Sequence, residues 1–123
     1  MKKDIAKLWT DALRSGKYKQ GRLVLHSIKD NNETFCCLGV LCDIYQQDRR
    51  KKKKKGLFVD KTTLPCIKYN HVSGVLPRVV SEWAGINSYN GEVRDTSLAQ
   101  LNDHWGYNFD SIARFIEDNV EVL

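Results

Sequence analysis

One apolar run in the middle of the chain constrains the fold more than any other feature. It spans residues 35–43, reads FCCLGVLCD, and holds three cysteines, one glycine and a single charge at its end. Such a run has to be buried, and from Cys37 its apolar residues recur at the three- and four-residue spacing of a helix. We therefore predict a buried central helix from Cys37 to about Gln47. The glycine within it, Gly39, indicates that a neighbouring segment packs closely against this helix.

The other helices follow from apolar spacing and end signals. Residues 4–14 carry apolar side chains on one helical face. A proline at the first helical position predicts a helix from Leu76-Pro77 that ends at Gly85. Ser97 has the capping-box spacing that starts a short helix, and Asp110 is expected to cap a last helix.

Strand signals are shorter and more local. Residues 23–28 are apolar and β-branched, 30–33 have turn composition, and 34–36 can return as a second strand. Short strand-like pieces follow at 56–60 and 64–69. At 123 residues the chain fits one domain. The predicted fold is a helix-rich α+β domain over residues 1–123, with four to five helices and a small antiparallel sheet or hairpin.

The net charge of +5 comes from a single segment. Seven consecutive basic residues contribute +7, which leaves −2 for the rest of the chain. Like charges repel one another, so we predict a mobile loop over about residues 48–56. It is either a solvated loop or a clamp that contacts a polyanion such as nucleic acid. The residues of this basic run are Arg49, Arg50, Lys51, Lys52, Lys53, Lys54 and Lys55.

A second set of basic and aromatic residues follows the first helix. Tyrosine and arginine can stack on bases, and lysine can contact phosphate. An ordinary polar connector would have the same composition, so both interpretations stay open. The candidate ligand-binding residues are Arg14, Lys17, Tyr18, Gln20 and Arg22.

The cysteines do not have the pattern of a metal site. Structural zinc usually takes two closely spaced ligand pairs, and Cys37 and Cys42 would lie about 140° apart on a helix. The only other pair is Cys66 with His71. We therefore interpret the thiols as small buried hydrophobic residues and predict neither a metal nor a cofactor.

Catalytic motifs are also missing from the sequence. It has no Gly-rich phosphate loop, no G-x-S-x-G and no H-E-x-x-H. A small hydrolase or nuclease remains a further hypothesis, with a histidine acting beside a carboxylate. The residues available for it are His26, His71 and His104, with Asp43 or Asp103.

The sequence predicts a cytoplasmic protein without a membrane partner. No apolar run approaches the roughly 18 residues that cross a bilayer. The basic N-terminus is not followed by the apolar stretch of a signal peptide. Four cysteines in so small a chain are then expected to stay reduced.

Several stretches resemble a family of small uncharacterised proteins of tailed phages and bacterial prophages. The resemblance omits about residues 48–75 and departs from the family pattern at His104-Trp105. The matching stretches are residues 9–21 (WTDALRSGKYKQG), 35–43 (FCCLGVLCD), Leu76-Pro77 through Trp83-Ala84-Gly85-Ile86, 98–103 (LAQLND), and Phe109 with Ile112-Ala113 and Ile116-Glu117.

The resemblance implies a phage accessory protein but supplies no activity and no catalytic residues. We expect a non-catalytic binding protein in the host cytoplasm that acts on host physiology or defence. Its partner would be a host protein, an anionic nucleotide or a nucleic acid, and a homo-oligomer is compatible with such a role. Trp83 and Trp105 are predicted to belong to the core.

Overall fold

Five helices and six short strands make up the fold, in a computed structural model that describes all 123 residues. The prediction of a helix-rich α+β domain with a small antiparallel sheet is confirmed. The helices are α1 (Lys3–Arg14), α2 (Cys37–Lys51), α3 (Arg78–Ala84), α4 (Leu98–Asp103) and α5 (Phe109–Asp118). The strands are β1 (His26–Lys29), β2 (Asn32–Phe35), β3 (Val59–Asp60), β4 (Cys66–Tyr69), β5 (Glu92–Val93) and β6 (Thr96–Ser97).

The main sheet has four antiparallel strands in the order β2-β1-β4-β3, and β5 and β6 form a separate hairpin. The β1–β2 hairpin turns at Asp30 and Asn31, which both have positive φ. This is the geometry that two-residue hairpins prefer, and Asp and Asn tolerate it. The first strand begins later than predicted, because Leu23 has a left-handed φ of 73°. No helix combines the length and the apolar character needed to span a bilayer.

Helix α2 lies in the core, as the apolar run predicts, and contacts α1, α3, α4 and β2. Its first six residues, 37–42, are all buried. The indole N–H of Trp9, on α1, donates to the carbonyl oxygen of Cys37 at 2.9 Å. Gly39 faces the backbone of Leu25, and a Cβ at this position would overlap the Leu25 carbonyl. The predicted close approach of a neighbour at this glycine is thus confirmed.

Replacing Gly39 with alanine should therefore destabilise the fold strongly. The new methyl group meets backbone atoms, which cannot rotate away, so we expect a loss of at least about 3 kcal/mol in the free energy of unfolding. Gly74→Ala is the matched control, because a Cβ there would meet only the carbonyl oxygen of Leu23, at 3.7 Å, which is an ordinary van der Waals contact. Urea denaturation measures both variants. Equal stability of the two would contradict the close approach.

The basic run is helical at its start, which corrects the predicted loop over residues 48–56. Helix α2 continues to Lys51. Asp48 supports this last turn, because its carboxylate lies 3.1 Å from the Arg49 guanidinium and 3.3 Å from the Lys52 ammonium. Basic side chains in the last turn also interact favourably with the helix dipole. The sequence pattern underestimated the helix because it considered only the repulsion among the seven cations.

A Schellman motif closes α2 without a glycine. The N–H of Lys54 donates to the carbonyl of Arg49 at 2.9 Å, and the N–H of Lys53 donates to the carbonyl of Arg50 at 3.1 Å. This is the bonding pattern that defines the motif. Lys53 has a φ of 53°, at the position that glycine usually occupies. The lysine is thus held in a conformation that glycine adopts more readily.

Lys53→Gly should stabilise the protein by up to about 1 kcal/mol, because it removes the left-handed strain of a side chain with a Cβ. Lys51→Gly is the control with the same loss of charge. It should cost about 1 kcal/mol, because Lys51 lies within the helix. Denaturant unfolding of both variants gives the comparison. Destabilisation of equal size in both would argue against the Schellman cap.

Two local predictions are wrong. The N-cap of α5 is Asn108, whose side chain accepts from the Ser111 N–H at 2.8 Å, and Asp110 lies in the first turn instead. Trp105 is 67% exposed and does not belong to the core. Trp83 is partly buried and packs edge-on against Tyr45. Both errors involve the ends of short helices, where apolar spacing gives few repeats to read.

Candidate functional site

A buried asparagine forms hydrogen bonds to several chain segments, among them the one that carries the candidate residue Gln20. Asn102 is fully buried near the end of α4. Its Oδ1 accepts from Gln20 Nε2 at 2.9 Å and from the Cys37 N–H at 3.1 Å. Its Nδ2 donates to the Gly21 carbonyl and to Asp103 Oδ1, both at 2.9 Å. All four hydrogen-bonding positions of the amide are used. Three of the stretches that carry the family resemblance therefore meet at one side chain.

Three of the five candidate ligand-binding residues have partners within the chain. Arg14 forms two hydrogen bonds with Glu117, at 2.6 and 2.7 Å. Gln20 donates to Asn102 and to the carbonyl oxygen of Tyr107. These side chains connect distant segments of the fold, so their polar groups are already engaged.

Tyr18 is also engaged within the fold. Its hydroxyl donates to Asp43 at 2.5 Å, and its ring packs edge-on against Phe35 with centroids 5.1 Å apart. Partial burial, and secondarily the Asp43 carboxylate, raises the pKa of Tyr18. Lys17 and Arg22 are exposed and form no ion pair. The five residues therefore do not converge: Lys17 and Tyr18 border one groove, and Arg14 borders another.

The groove beside Arg14 is the largest, at about 580 Å³. Arg14 and Arg114 line it together with Asp110 and Asp118, so its charged side chains balance one another. Tyr107 also contributes to its wall. A lining without net charge gives an anionic ligand little electrostatic preference over a neutral one.

Unlike the groove beside Arg14, the basic helix end, residues 49–55, has an excess of positive charge. Arg49 contacts Asp48, and its guanidinium lies 5.2 Å from the centre of the Tyr45 ring, so this arginine is packed onto the helix. Lys52 also contacts Asp48. Desolvation acts to raise the pKa of Asp48, but the hydrogen bonds and charges of Lys52 and Arg49 together outweigh it, so the pKa lies below its usual value. The remaining five cations are exposed and form no ion pair: Arg50, Lys51, Lys53, Lys54 and Lys55.

His26 does not have either of the carboxylate partners that the hydrolase hypothesis names. His26 is buried, with Nδ1 2.7 Å from the Tyr69 hydroxyl and Nε2 2.6 Å from Glu33. Its carboxylate partner is thus neither Asp43 nor Asp103. Those two bind Tyr18 and the backbone N–H of Leu23, respectively. None of the four grooves on the surface is lined by a histidine. The His26 network therefore holds β1, β2 and β4 together.

The cysteines pack as the sequence predicts. Cys37 and Cys42 are fully buried, Cys36 is nearly so, and all four thiols are free. Burial raises the pKa of Cys36 to about 11 and raises the pKa values of Cys37 and Cys42 as well. Because the thiolate is the reactive form, these residues are inert at neutral pH. No three His, Cys, Asp or Glu side chains are grouped in a way that could hold a metal ion.

A family model matches almost the whole chain, over residues 1–120. Its description is a domain of unknown function, DUF8296. The chain belongs to this family. No curated protein matches, and neither does a solved structure. An uncharacterised family is therefore confirmed, while the connection to phages stays a prediction.

The asparagine at the centre of this DUF8296 member was not singled out by sequence reasoning, although a signal for it exists. Asn102 follows Leu98 by four residues and Leu101 by one, so it shares the inward face of α4. A polar residue on a buried face needs hydrogen-bond partners. Which partners it finds could not be read from the sequence, because Gln20 and Cys37 approach from distant segments.

Asn102→Ala should cost about 3 kcal/mol of folding stability. It leaves the buried Cys37 N–H and the partly buried Gly21 carbonyl without a partner, and an unpaired buried group costs roughly 1–3 kcal/mol. Gln100→Ala on the exposed side of the same helix is the control, and it should stay within about 0.5 kcal/mol of the parent. Chemical denaturation tests both. An Asn102→Ala variant as stable as the control would refute the role of this side chain.

Proposed function

We propose that this member of the DUF8296 family is a non-catalytic binding protein that holds a polyanion at its basic helix end. The observation that carries the proposal is the set of five exposed cations without ion pairs between Arg50 and Lys55. They lie within six consecutive positions, 50–55, and the chain outside the seven-residue basic run is net negative. Closely spaced cations of this kind attract phosphates and release the counterions bound to them.

The fixed backbone of the helix end supports the proposal. The Schellman hydrogen bonds fix the backbone up to Lys54. Asp48 and Tyr45 engage Arg49, and Asp48 engages Lys52. The free cations are thus presented from a fixed backbone, which reduces the conformational entropy lost on binding. Contacts of this kind give affinity and position the partner, but they carry no sequence specificity.

The alternative functions have less support. A small-nucleotide site at Arg14, Lys17, Tyr18, Gln20 and Arg22 would need side chains that are now engaged with Glu117, Asp43 and Asn102. A hydrolase or nuclease that used His26 would need this histidine to leave Glu33 and Tyr69. Either of these sites would form at the expense of contacts that stabilise the fold.

The resemblance to small phage proteins indicates where such a protein would act. In the cytoplasm of an infected bacterium, abundant polyanions include nucleic acids and acidic protein surfaces. A protein that occupies one of them would act on host physiology or defence by binding alone.

Neutralising the five free cations with glutamine should abolish binding to a DNA duplex. For the unaltered protein we expect a log–log salt dependence with a slope of about −4.5, since each of five contacts contributes about −0.9. Fluorescence anisotropy with a labelled duplex, titrated at several salt concentrations, measures both. Any residual binding by the variant should depend little on salt.

A second variant with the same loss of charge is the control. It should keep the affinity and slope of the parent if binding depends on the helix end rather than on net charge. Equal weakening in both variants, or no binding by the parent protein to either duplex or single-stranded DNA, would overturn the proposal. The exposed residues to neutralise in this control are Lys17, Arg22, Lys29, Arg94 and Arg114.

A further inference from the structure

We propose that the polyanion is a single-stranded nucleic acid, and that Phe58 provides a surface on which one of its bases stacks. This inference rests on the proposed function, because the phosphates of the strand would contact the basic helix end. It adds a ligand class, since base stacking distinguishes a nucleic acid strand from other polyanions.

Phe58 lies next to the cations along the chain. It follows Lys55 by three residues, so their Cα atoms are at most about 11 Å apart. The connection is fixed on both sides. The Leu57 N–H donates to Gln46 Oε1 on α2 at 2.6 Å. The Phe58 N–H donates to Asn70 Oδ1 at 2.7 Å, and the Asn70 N–H donates back to the Phe58 carbonyl at 2.8 Å. Phe58 is therefore held in place beside the helix end.

The ring of Phe58 is open to solvent on this rigid backbone. The residue is 55% exposed, and its ring centroid lies 5.3 Å from that of His71, at an angle of 44°. His71 itself has a φ of 70°, in a two-residue turn where glycine is the usual choice. The turn places the His71 ring against Phe58, so the two rings form an aromatic pair at the surface.

The charges on the sheet face beside Phe58 balance one another, so the attraction for phosphate comes from the basic helix end. Asp60 pairs with Lys68 across β3 and β4, and the alternation of side chains puts both on the same face as Phe58. Val59 and Tyr69 point to the opposite face, where Tyr69 is buried. Asp60 is the one acid of this face. Its Oδ1 accepts from the Thr62 N–H at 2.8 Å and from the Thr62 hydroxyl at 2.6 Å.

Base stacking selects for single strands. In a duplex the bases are already stacked and paired, whereas a single strand can place an unstacked base on an aromatic side chain. Such a contact tolerates any sequence, because every base has a π face. Cations beside an exposed ring are the combination that sequence-independent single-strand binding uses.

The test compares three labelled or competing probes in anisotropy titrations. They are an oligothymidylate of about 15 nucleotides, an abasic strand of the same length, and inorganic polyphosphate. Phe58→Ala should weaken oligothymidylate binding roughly five- to hundredfold, as loss of one stacked base predicts, and leave the abasic strand unaffected. Phe58→Trp should restore or raise the affinity for oligothymidylate.

Two further variants separate stacking from other effects. Leu64→Ala removes another exposed hydrophobic residue, 54% exposed, from the β3–β4 connection and should leave all affinities unchanged. Asp60→Asn keeps the acceptor for Thr62 but removes the negative charge, so it should strengthen binding of all three probes.

The outcomes separate the two proposals. If oligothymidylate and the abasic strand bind equally and Phe58→Ala changes neither, stacking is overturned while the polyanion function remains. If none of the three probes binds, both proposals fail. A loss in Phe58→Ala that tryptophan does not restore would also overturn the stacking role.

Discussion

The close approach between α2 and the chain at Leu25 is the contact on which the rest of the fold depends. It exists because Gly39 has no side chain that would occupy the space of the Leu25 carbonyl. The same carbonyl accepts from the Cys36 N–H at 3.2 Å, and the Leu25 N–H donates to Ser73 at 2.6 Å. One residue thus joins the start of α2, the approach to β1 and the segment before α3. The position of the main sheet relative to the central helix follows from this contact.

The buried hydrogen bonds of the interior and the basic surface involve different parts of the chain. Asn102 joins the segments that carry the family resemblance, and its amide has no unused hydrogen-bonding position. The basic helix end and Phe58 lie largely within the part that the resemblance omits. A surface built on that part can change its charge and exposed side chains without disturbing the buried hydrogen bonds. The exposed side chains at the helix end are thus separate from the hydrogen bonds that hold the interior together.

Sequence reasoning succeeded where a pattern repeats within one element. The apolar spacing from Cys37 onward predicted α2, and the polar residues at 30–33 predicted the hairpin turn. It failed at element ends, where single contacts decide the outcome. Asp48 extended α2 into the basic run, and Asn108 replaced Asp110 as the cap of α5. For the candidate site, residue types were informative about chemistry but could not show which polar groups were already paired.

The sequence by itself determined a buried central helix, a helix-rich α+β domain and an excess of positive charge in one segment. Each of these depends on residues that are neighbours along the chain, so periodicity and composition suffice. The tertiary structure alone decided which of the candidate ligand-binding side chains are already paired. Arg14 meets Glu117 across 103 positions of sequence, and Gln20 meets Asn102 across 82. A side chain's partners depend on how distant elements pack, and that packing results from the sum of many weak contacts rather than from any local pattern.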